Sequence, residues 1–151
     1  MSDMRPLVRS VALAAALVLP AALAQAIEYR SVNEPAILFD SPSDKGKRLF
    51  IVAPGTPVEV VVTLDKWVKV RDPGGAISWI ERRALADQRT VMVTAARATA
   101  RQRAAEDAPP AFEAVKDVVL ELAAPPAEGW VQVRHKDGVS GYLRVSEVWG
   151  L

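Results

Sequence analysis

Few side chains of this 151-residue chain could perform chemistry, since it holds one histidine and no cysteine. A cysteine nucleophile and a thiolate metal site are therefore excluded. A Ser-His-Asp arrangement would have to use His135, which falls in a predicted hairpin turn without the Gly-x-Ser-x-Gly context of such enzymes. Metal sites recruit several histidines, cysteines or clustered carboxylates. The sequence therefore predicts no catalytic residue, no cofactor and no metal.

The carboxylates Glu59 and Glu121 are the remaining candidates for an acid–base pair, because they occupy equivalent strand positions. Each lies between apolar residues in an alternating pattern, so its side chain should point away from the core. We expect both to lie on a solvated face. Hydrolysis by surface carboxylates is correspondingly disfavoured, because no paired acid site can be placed.

Aromatic side chains are better candidates for a binding function, because shallow grooves of small β-barrels hold extended or proline-rich peptides on aromatic platforms. Trp67 and Trp130 each begin a strand after a turn, where an indole either forms such a platform or packs half-buried. Trp79, Tyr142 and Trp149 are expected to pack into the core or against the C-terminus. The candidate ligand-binding residues are Phe39, Trp67, Trp130 and Tyr142.

The elements that must position these aromatics occur twice. Residues 67–80 align without a gap on residues 130–143, and each copy alternates apolar and polar residues before and after a Gly-containing turn. This pattern predicts two β-hairpins. The similarity extends towards the N-terminus, since Phe50 precedes Glu59 by nine residues and Phe112 precedes Glu121 by nine. We therefore predict an all-β protein built of two small barrels in tandem.

The predicted barrels comprise residues 27–86 and 87–151, and the four-residue connector Ala86–Arg89 should hold them against one another. A closing helical turn is expected after each hairpin. One stretch departs from the β pattern, because residues 97–107 are rich in alanine and other helix formers. With only alanine on its apolar side, this stretch is predicted to be an exposed loop with at most a frayed helical turn.

Residues 1–26 have the features of a secretory signal peptide: Arg5 and Arg9, an apolar run over residues 11–23, and small residues at the end. Cleavage is expected after Ala24 or Ala26, with Ala26 favoured. The apolar run is shorter than the roughly 20 residues that span a bilayer, so no stable membrane insertion is expected after cleavage. Arginine- and alanine-rich usage indicates a bacterial source, so the expected location is the periplasm.

The charge of the exported chain is balanced. Residues 1–26 hold two of the 19 basic and one of the 18 acidic residues, which leaves 17 of each sign. A balanced surface lacks the basic footprint of a nucleic-acid-binding protein, so no nucleic-acid partner is expected.

The chain resembles the bacterial SH3-like (SH3b) family in its tandem exported form. The resemblance rests on the loop segment 38–43, the Gly-x-Pro-Val-Glu-Val strand at Gly55–Val60, the repeated Trp-Val-x-Val-Arg hairpins, and the terminal Val-Trp-Gly-Leu at residues 148–151. The Arg-x-Gly-Pro-Ser loop of many members is absent, and Ser78 replaces the glycine that the second copy keeps at Gly141. The resemblance implies two SH3-like barrels.

The same resemblance implies a non-enzymatic module that binds a cell-wall peptide or an envelope protein. The leading hypothesis is an adaptor that recognises a peptidoglycan stem peptide or a protein segment through an aromatic groove. The alternative is a structural subunit that assembles into an envelope complex without a small ligand. The sequence does not indicate an oligomeric state.

Overall fold

The computed structural model describes residues 26–151, so the predicted signal peptide lies almost wholly outside the described residues. Fourteen strands form two units of seven, and each unit contains one short 3-10 turn. The strands of unit 1 are β1 Glu28–Val32, β2 Ala36–Phe39, β3 Arg48–Val52, β4 Pro57–Thr63, β5 Trp67–Arg71, β6 Ile77–Glu81 and β7 Leu85–Ala86. Those of unit 2 are β8 Thr90–Val93, β9 Arg97–Arg101, β10 Pro110–Val115, β11 Val119–Leu122, β12 Trp130–Arg134, β13 Ser140–Arg144 and β14 Val148–Trp149.

The two units have the same topology. The first sheet has the order β3-β2-β6-β5-β4-β1-β7, and the second has the order β10-β9-β13-β12-β11-β8-β14. All of the pairings are antiparallel. The closing turns Arg82–Ala84 and Val145–Glu147 follow the hairpins as predicted. The prediction of an all-β fold with two tandem SH3-like units is thus confirmed.

The hairpins form because their side chains alternate between the core and the surface. In β5, Val68 and Val70 are buried while Lys69 between them is not. The turn glycines Gly75 and Gly138 have φ angles of 90° and 93°, a conformation that side chains disfavour. The turns before β4 and β11 also have corresponding conformations, since Gly55 and Asp117 both have positive φ angles, of 83° and 71°.

Each unit has its own hydrophobic core on the inner face of its sheet. The buried core of unit 1 consists of Val32, Ala36, Leu38, Val58, Val68, Val70, Ile80, Ala84 and Leu85. That of unit 2 consists of Val91, Val93, Ala98, Ala100, Ala114, Leu120, Val131, Val133, Leu143 and Val148.

The prediction of an exposed loop over residues 97–107 was wrong for residues 97–101 and right for residues 102–107, which form a largely exposed loop. Residues 97–101 form β9, which pairs with β10 and β13 and buries Ala98 and Ala100. Helix propensity is a weak prior that tertiary context overrides. At Ala100 a small side chain fits a close approach of β13, since a Cβ atom at Gly141 would lie 2.8 Å from the Ala100 Cβ atom.

The expectation that Trp79 and Tyr142 fill the core was also wrong, because both are only half-buried. Trp149, expected to pack at the C-terminus, is half-buried in β14 and contacts Tyr29 edge-to-face at 5.1 Å. Cross-strand pairing explains the exposure of Trp79 and Tyr142. Trp79 lies opposite Lys69, whose side chain points outward, and Tyr142 lies opposite Gln132 in the same way. Residues that pair directly across two strands lie on the same face of the sheet, so Trp79 and Tyr142 also point outward. The inward positions are held by the residues before and after each of them in sequence.

The two units contact each other directly at the connector, as predicted from its length. The Thr90 hydroxyl donates a hydrogen bond to the Gly55 carbonyl at 2.6 Å, and the Ser31 hydroxyl donates one to the Gln88 carbonyl at 2.7 Å. Because Ser31 and Thr90 are buried, these bonds satisfy groups that water cannot reach. Across residues 26–151, no helix has the length and apolar character needed to cross a membrane.

Candidate functional site

Trp67 opens β5 at a tight turn and is half-buried. The turn is closed by a hydrogen bond from the Leu64 N–H to the Trp67 carbonyl at 2.8 Å. The indole is supported from inside by Phe39, whose ring lies 5.3 Å away at an interplanar angle of 87°. This edge-to-face geometry is favourable and leaves the indole fixed in place. Phe39 is itself buried, so it supports the tryptophan rather than offering a surface of its own.

A cleft of about 410 Å³ lies beside Trp67. The β2–β3 loop forms one wall, and the turn before β5 together with the end of β6 forms the other. The lining residues are Pro42, Ser43, Asp44, Lys66, Trp67 and Glu81. An aromatic surface among convergent polar groups is typical of a binding site for a small ligand or peptide.

Internal hydrogen bonds fix the shape of the loop wall. The Asp40 carboxylate accepts a hydrogen bond from the Lys47 N–H at 2.9 Å, and the Ser43 hydroxyl accepts one from the Lys45 N–H at 3.1 Å. Gly46 packs so closely that a Cβ atom there would lie 2.5 Å from the Ser41 hydroxyl. The loop thus presents Pro42 and Asp44 to the cleft with little freedom to rearrange.

Charges of both signs surround the cleft. Asp44 belongs to the loop wall, while Lys66 and Glu81 belong to the opposite wall. Glu81 accepts a hydrogen bond from Arg83, and this bond raises the pKa of the arginine further above its ordinary value. The cleft therefore suits a ligand that carries both an ammonium and a carboxylate group.

The equivalent position of unit 2 is closed. Trp130 is only 8% exposed, and the guanidinium of Arg144 lies 4.2 Å from the centre of its ring. Glu106, from the β9–β10 loop, accepts a hydrogen bond from Arg144 Nε at 2.7 Å and holds the arginine there. In both units the tryptophan pairs across the hairpin with the last residue of the next strand, which is Glu81 in unit 1 and Arg144 in unit 2.

The structure thus brings together only two of the four candidate residues. Phe39 and Trp67 are in contact, whereas Trp130 and Tyr142 belong to the other unit. Tyr142 is half-buried, and within residues 26–151 the close aromatic pairs include neither Trp130 nor Tyr142. Sequence reasoning missed Glu81, although its place opposite Trp67 in the predicted hairpin was a signal that could have found it. Lys66 fits the sequence both as part of a basic rim and as an ordinary solubilising charge, and the structure places it in the lining of the cleft.

The side chains considered for catalysis have structural roles. His135 lies in the turn between β12 and β13, where its Nδ1 is 3.0 Å from Asp137, and its ring packs on Phe112. Glu59 pairs with Arg71 at 3.1 Å, and Glu121 approaches Arg134 at 3.9 Å. Among residues 26–151 there is no cluster of three acidic or histidine side chains able to hold a metal ion.

The family model for the bacterial SH3 domain matches the chain twice, over residues 32–87 and 94–150. The chain belongs to the bacterial SH3 domain family. Bacterial SH3 domains are typically binding modules, are usually extracellular or associated with the cell wall, and generally bind cell-wall components. Each match covers most of one of the two seven-stranded sheets of this bacterial SH3 protein.

Solved structures with similar folds are distant from this bacterial SH3 protein. NlpC2 from Trichomonas vaginalis is 11% identical, with a TM-score of 0.38, and the match covers 84% of this chain and 49% of NlpC2. An NlpC/P60 family protein from Bacillus cereus is 16% identical, with a TM-score of 0.36, and the match covers 81% of this chain and 56% of that protein. The chain thus spans about half the length of these proteins. No curated protein sequence matches it.

Proposed function

We propose that this protein is a non-enzymatic binding module of the periplasm that recognises a peptidoglycan stem peptide in the cleft beside Trp67. The difference between the two tryptophans supports this proposal. Trp67 lines an open cleft, whereas Trp130 is covered by Arg144. Unit 1 is therefore the binding unit, and unit 2 serves to support it.

The chemistry of the cleft favours a stem peptide over an apolar segment. Such a peptide is short and carries amino and carboxyl groups, which match Asp44, Lys66 and Glu81 around the indole. Charged hydrogen bonds at fixed positions give orientation, while the aromatic face supplies contact area. A segment of an envelope protein is the competing ligand, and the experiment below distinguishes the two.

Co-sedimentation with purified, protein-free sacculi tests the proposal. We expect wild type to pellet with the sacculi and the double variant Asp44→Ala, Lys66→Ala to remain in the supernatant. Both residues are in exposed parts of the cleft, so the fold should be retained. The matched control is Arg103→Ala, Asp107→Ala, which changes an exposed cation and an exposed anion in the corresponding loop of unit 2.

Two results would contradict the proposal. If wild type pellets only with sacculi that retain their proteins, and not with protein-free sacculi, the ligand is a protein. If the cleft variant and the control pellet equally, binding lies elsewhere. N-terminal sequencing of protein from the periplasmic fraction tests the location, and a start at Ile27 is the expected result.

A further inference from the structure

Strand β3 exposes an apolar edge that a soluble domain ordinarily covers. Phe50 is 64% and Ile51 is 78% exposed, and Leu49 beside them is also exposed. The strand lies at the end of its sheet and pairs only with β2 among residues 26–151. Its other edge therefore presents unpaired backbone groups beside a continuous apolar surface.

A comparison with unit 2 explains why Phe50 is exposed. The equivalent residue, Phe112, packs where Gly141 and Ala100 leave space, since a Cβ atom at Gly141 would lie 3.2 Å from the Phe112 ring. Unit 1 has larger residues at both of these positions, namely Ser78 and Leu38. Both are buried, so they fill the space that would otherwise hold the ring.

The two edge strands also differ in the features that prevent pairing with another chain. Strand β10 begins with Pro110 and carries Glu113 at its middle, where it pairs with Arg97 at 2.9 Å. Proline and charged side chains are common means of protecting an edge. Strand β3 has no charge after Arg48, and its next residues are Leu49 through Val52. Of these two edge strands, β3 is therefore the one that lacks protection against strand addition.

We infer that β3 pairs antiparallel with β3 of a second copy of this chain, about a twofold axis at Ile51. The regular ladder between β3 and β2 spans Phe50 to Val52, since a bulge interrupts it at Leu49. The centre of that ladder is Ile51. In this register Ile51 lies opposite Ile51 of the second copy, and Phe50 lies opposite its Val52. The interface is isologous, as a closed dimer requires.

The charges around β3 fit a second copy in this orientation. Lys47 and Arg48 precede the apolar run, and no ion pair among residues 26–151 uses either of them. Antiparallel pairing about Ile51 places Arg48 opposite Pro54 of the other copy. Glu34 lies at that end of the sheet, two residues before the Ala36 that pairs with Val52. A parallel arrangement would instead set the cations of both copies side by side, which is unfavourable.

Disulfide cross-linking tests both the pairing and its register, because the chain has no natural cysteine. Ile51→Cys should form a disulfide-linked dimer under mild oxidation, since directly opposed residues lie within the Cα separation that a disulfide spans. Phe50→Cys alone should form no such dimer, because in this register Phe50 lies two residues along the strand from Phe50 of the second copy. An equal mixture of Phe50→Cys and Val52→Cys should cross-link, since these residues are opposed. The control is Val115→Cys on β10, which is 54% exposed and should form no disulfide-linked dimer.

Sedimentation equilibrium provides a second readout that does not depend on cysteine. The wild-type protein should sediment at twice the monomer mass over a micromolar concentration series, and Ile51→Lys should sediment as a monomer. Val115→Lys, on the edge of unit 2, should remain dimeric. The inference is overturned if wild type is monomeric throughout, if Ile51→Lys stays dimeric, or if all the single-cysteine variants cross-link equally.

Discussion

Ser78 and Gly141 occupy the same position in the two hairpins. The two sheets therefore differ in whether a side chain is present at this position. Each residue pairs with the second valine of the preceding strand, Val70 in unit 1 and Val133 in unit 2. Over Gly141 the ring of Phe112 is partly covered, whereas Phe50 is left in solvent. One substitution in the repeat thus accompanies a change in the exposure of a whole edge strand.

Filling the space at Gly141 should destabilise unit 2. In Gly141→Ala the new Cβ atom would lie 2.8 Å from the Cβ atom of Ala100, so the backbone or Phe112 must shift. Overpacking of this kind costs about 1–3 kcal/mol, measurable by urea denaturation. The Ala100→Gly background should recover part of this loss in a double-mutant cycle. If the two changes were simply additive, the close approach would not be the cause.

Removing the hydroxyl of Ser78 should have the opposite effect. Its oxygen is buried and has no hydrogen-bond partner among residues 26–151, and an unsatisfied polar group costs free energy in the folded state. Ser78→Ala should therefore raise the free energy of unfolding by about 1 kcal/mol. Thr90→Ala is the contrasting variant, since its buried hydroxyl does donate a hydrogen bond and its loss should lower stability. A decrease in stability for Ser78→Ala would mean that its hydroxyl has a partner.

The sequence predicted the hairpins and the order of the two units because both depend on local alternation and on turn residues. It did not predict β9, since the inward residues Ala98 and Ala100 fit a sheet in which one neighbouring strand, β13, lies about 40 residues further along the chain. The inward or outward direction of Trp79 required knowledge of its cross-strand partner, Lys69. The sequence identified Trp67 as a candidate binding residue. It did not predict that the equivalent site at Trp130 is closed, because this depends on the contact between the Arg144 guanidinium and the indole across the hairpin.

Arg89 should couple the two units energetically. Its Nη2 donates a hydrogen bond to the Gly150 carbonyl at 2.8 Å, and its guanidinium lies 5.4 Å from the ring of Tyr29. Tyr29 in turn contacts Trp149 edge-to-face at 5.1 Å. Arg89→Ala should lower the free energy of unfolding by about 1–3 kcal/mol and separate the calorimetric transition into two.

The matched control for Arg89 is Arg97, which forms an exposed ion pair with Glu113 within unit 2. Arg97→Ala should cost less than about 1 kcal/mol, as exposed pairs do, and should leave a single transition. Two transitions in the wild-type protein would show that the units already unfold independently.

Tyr29 should make the protein sensitive to alkaline pH. Burial, and secondarily Glu59, raise the pKa of Tyr29 above its ordinary value of 10.0. The folded state therefore retains the proton that the unfolded state loses. This contribution to stability is fully present below pH 10 and is lost as pH rises through the folded-state pKa. Ultraviolet titration of Tyr142→Phe, which leaves Tyr29 as the only tyrosine, should give a midpoint above 10.0. A midpoint at or below that value would contradict the prediction.

Replacing Arg144 should open the tryptophan site of unit 2. Glu81 is the residue of unit 1 that is equivalent to Arg144, so Arg144→Glu makes the two hairpins alike at this position. The change also places a second carboxylate beside Glu106. The loss of the contact between the guanidinium and the indole should cost about 0.5–2 kcal/mol. With the other three tryptophans replaced by phenylalanine, acrylamide should quench Trp130 more strongly in this variant than in its parent. Arg134→Glu, an exposed change on the same hairpin, should leave quenching as it was. Equal quenching in all three proteins would mean that strands other than β13 bury the indole, and that Arg144 does not close the site.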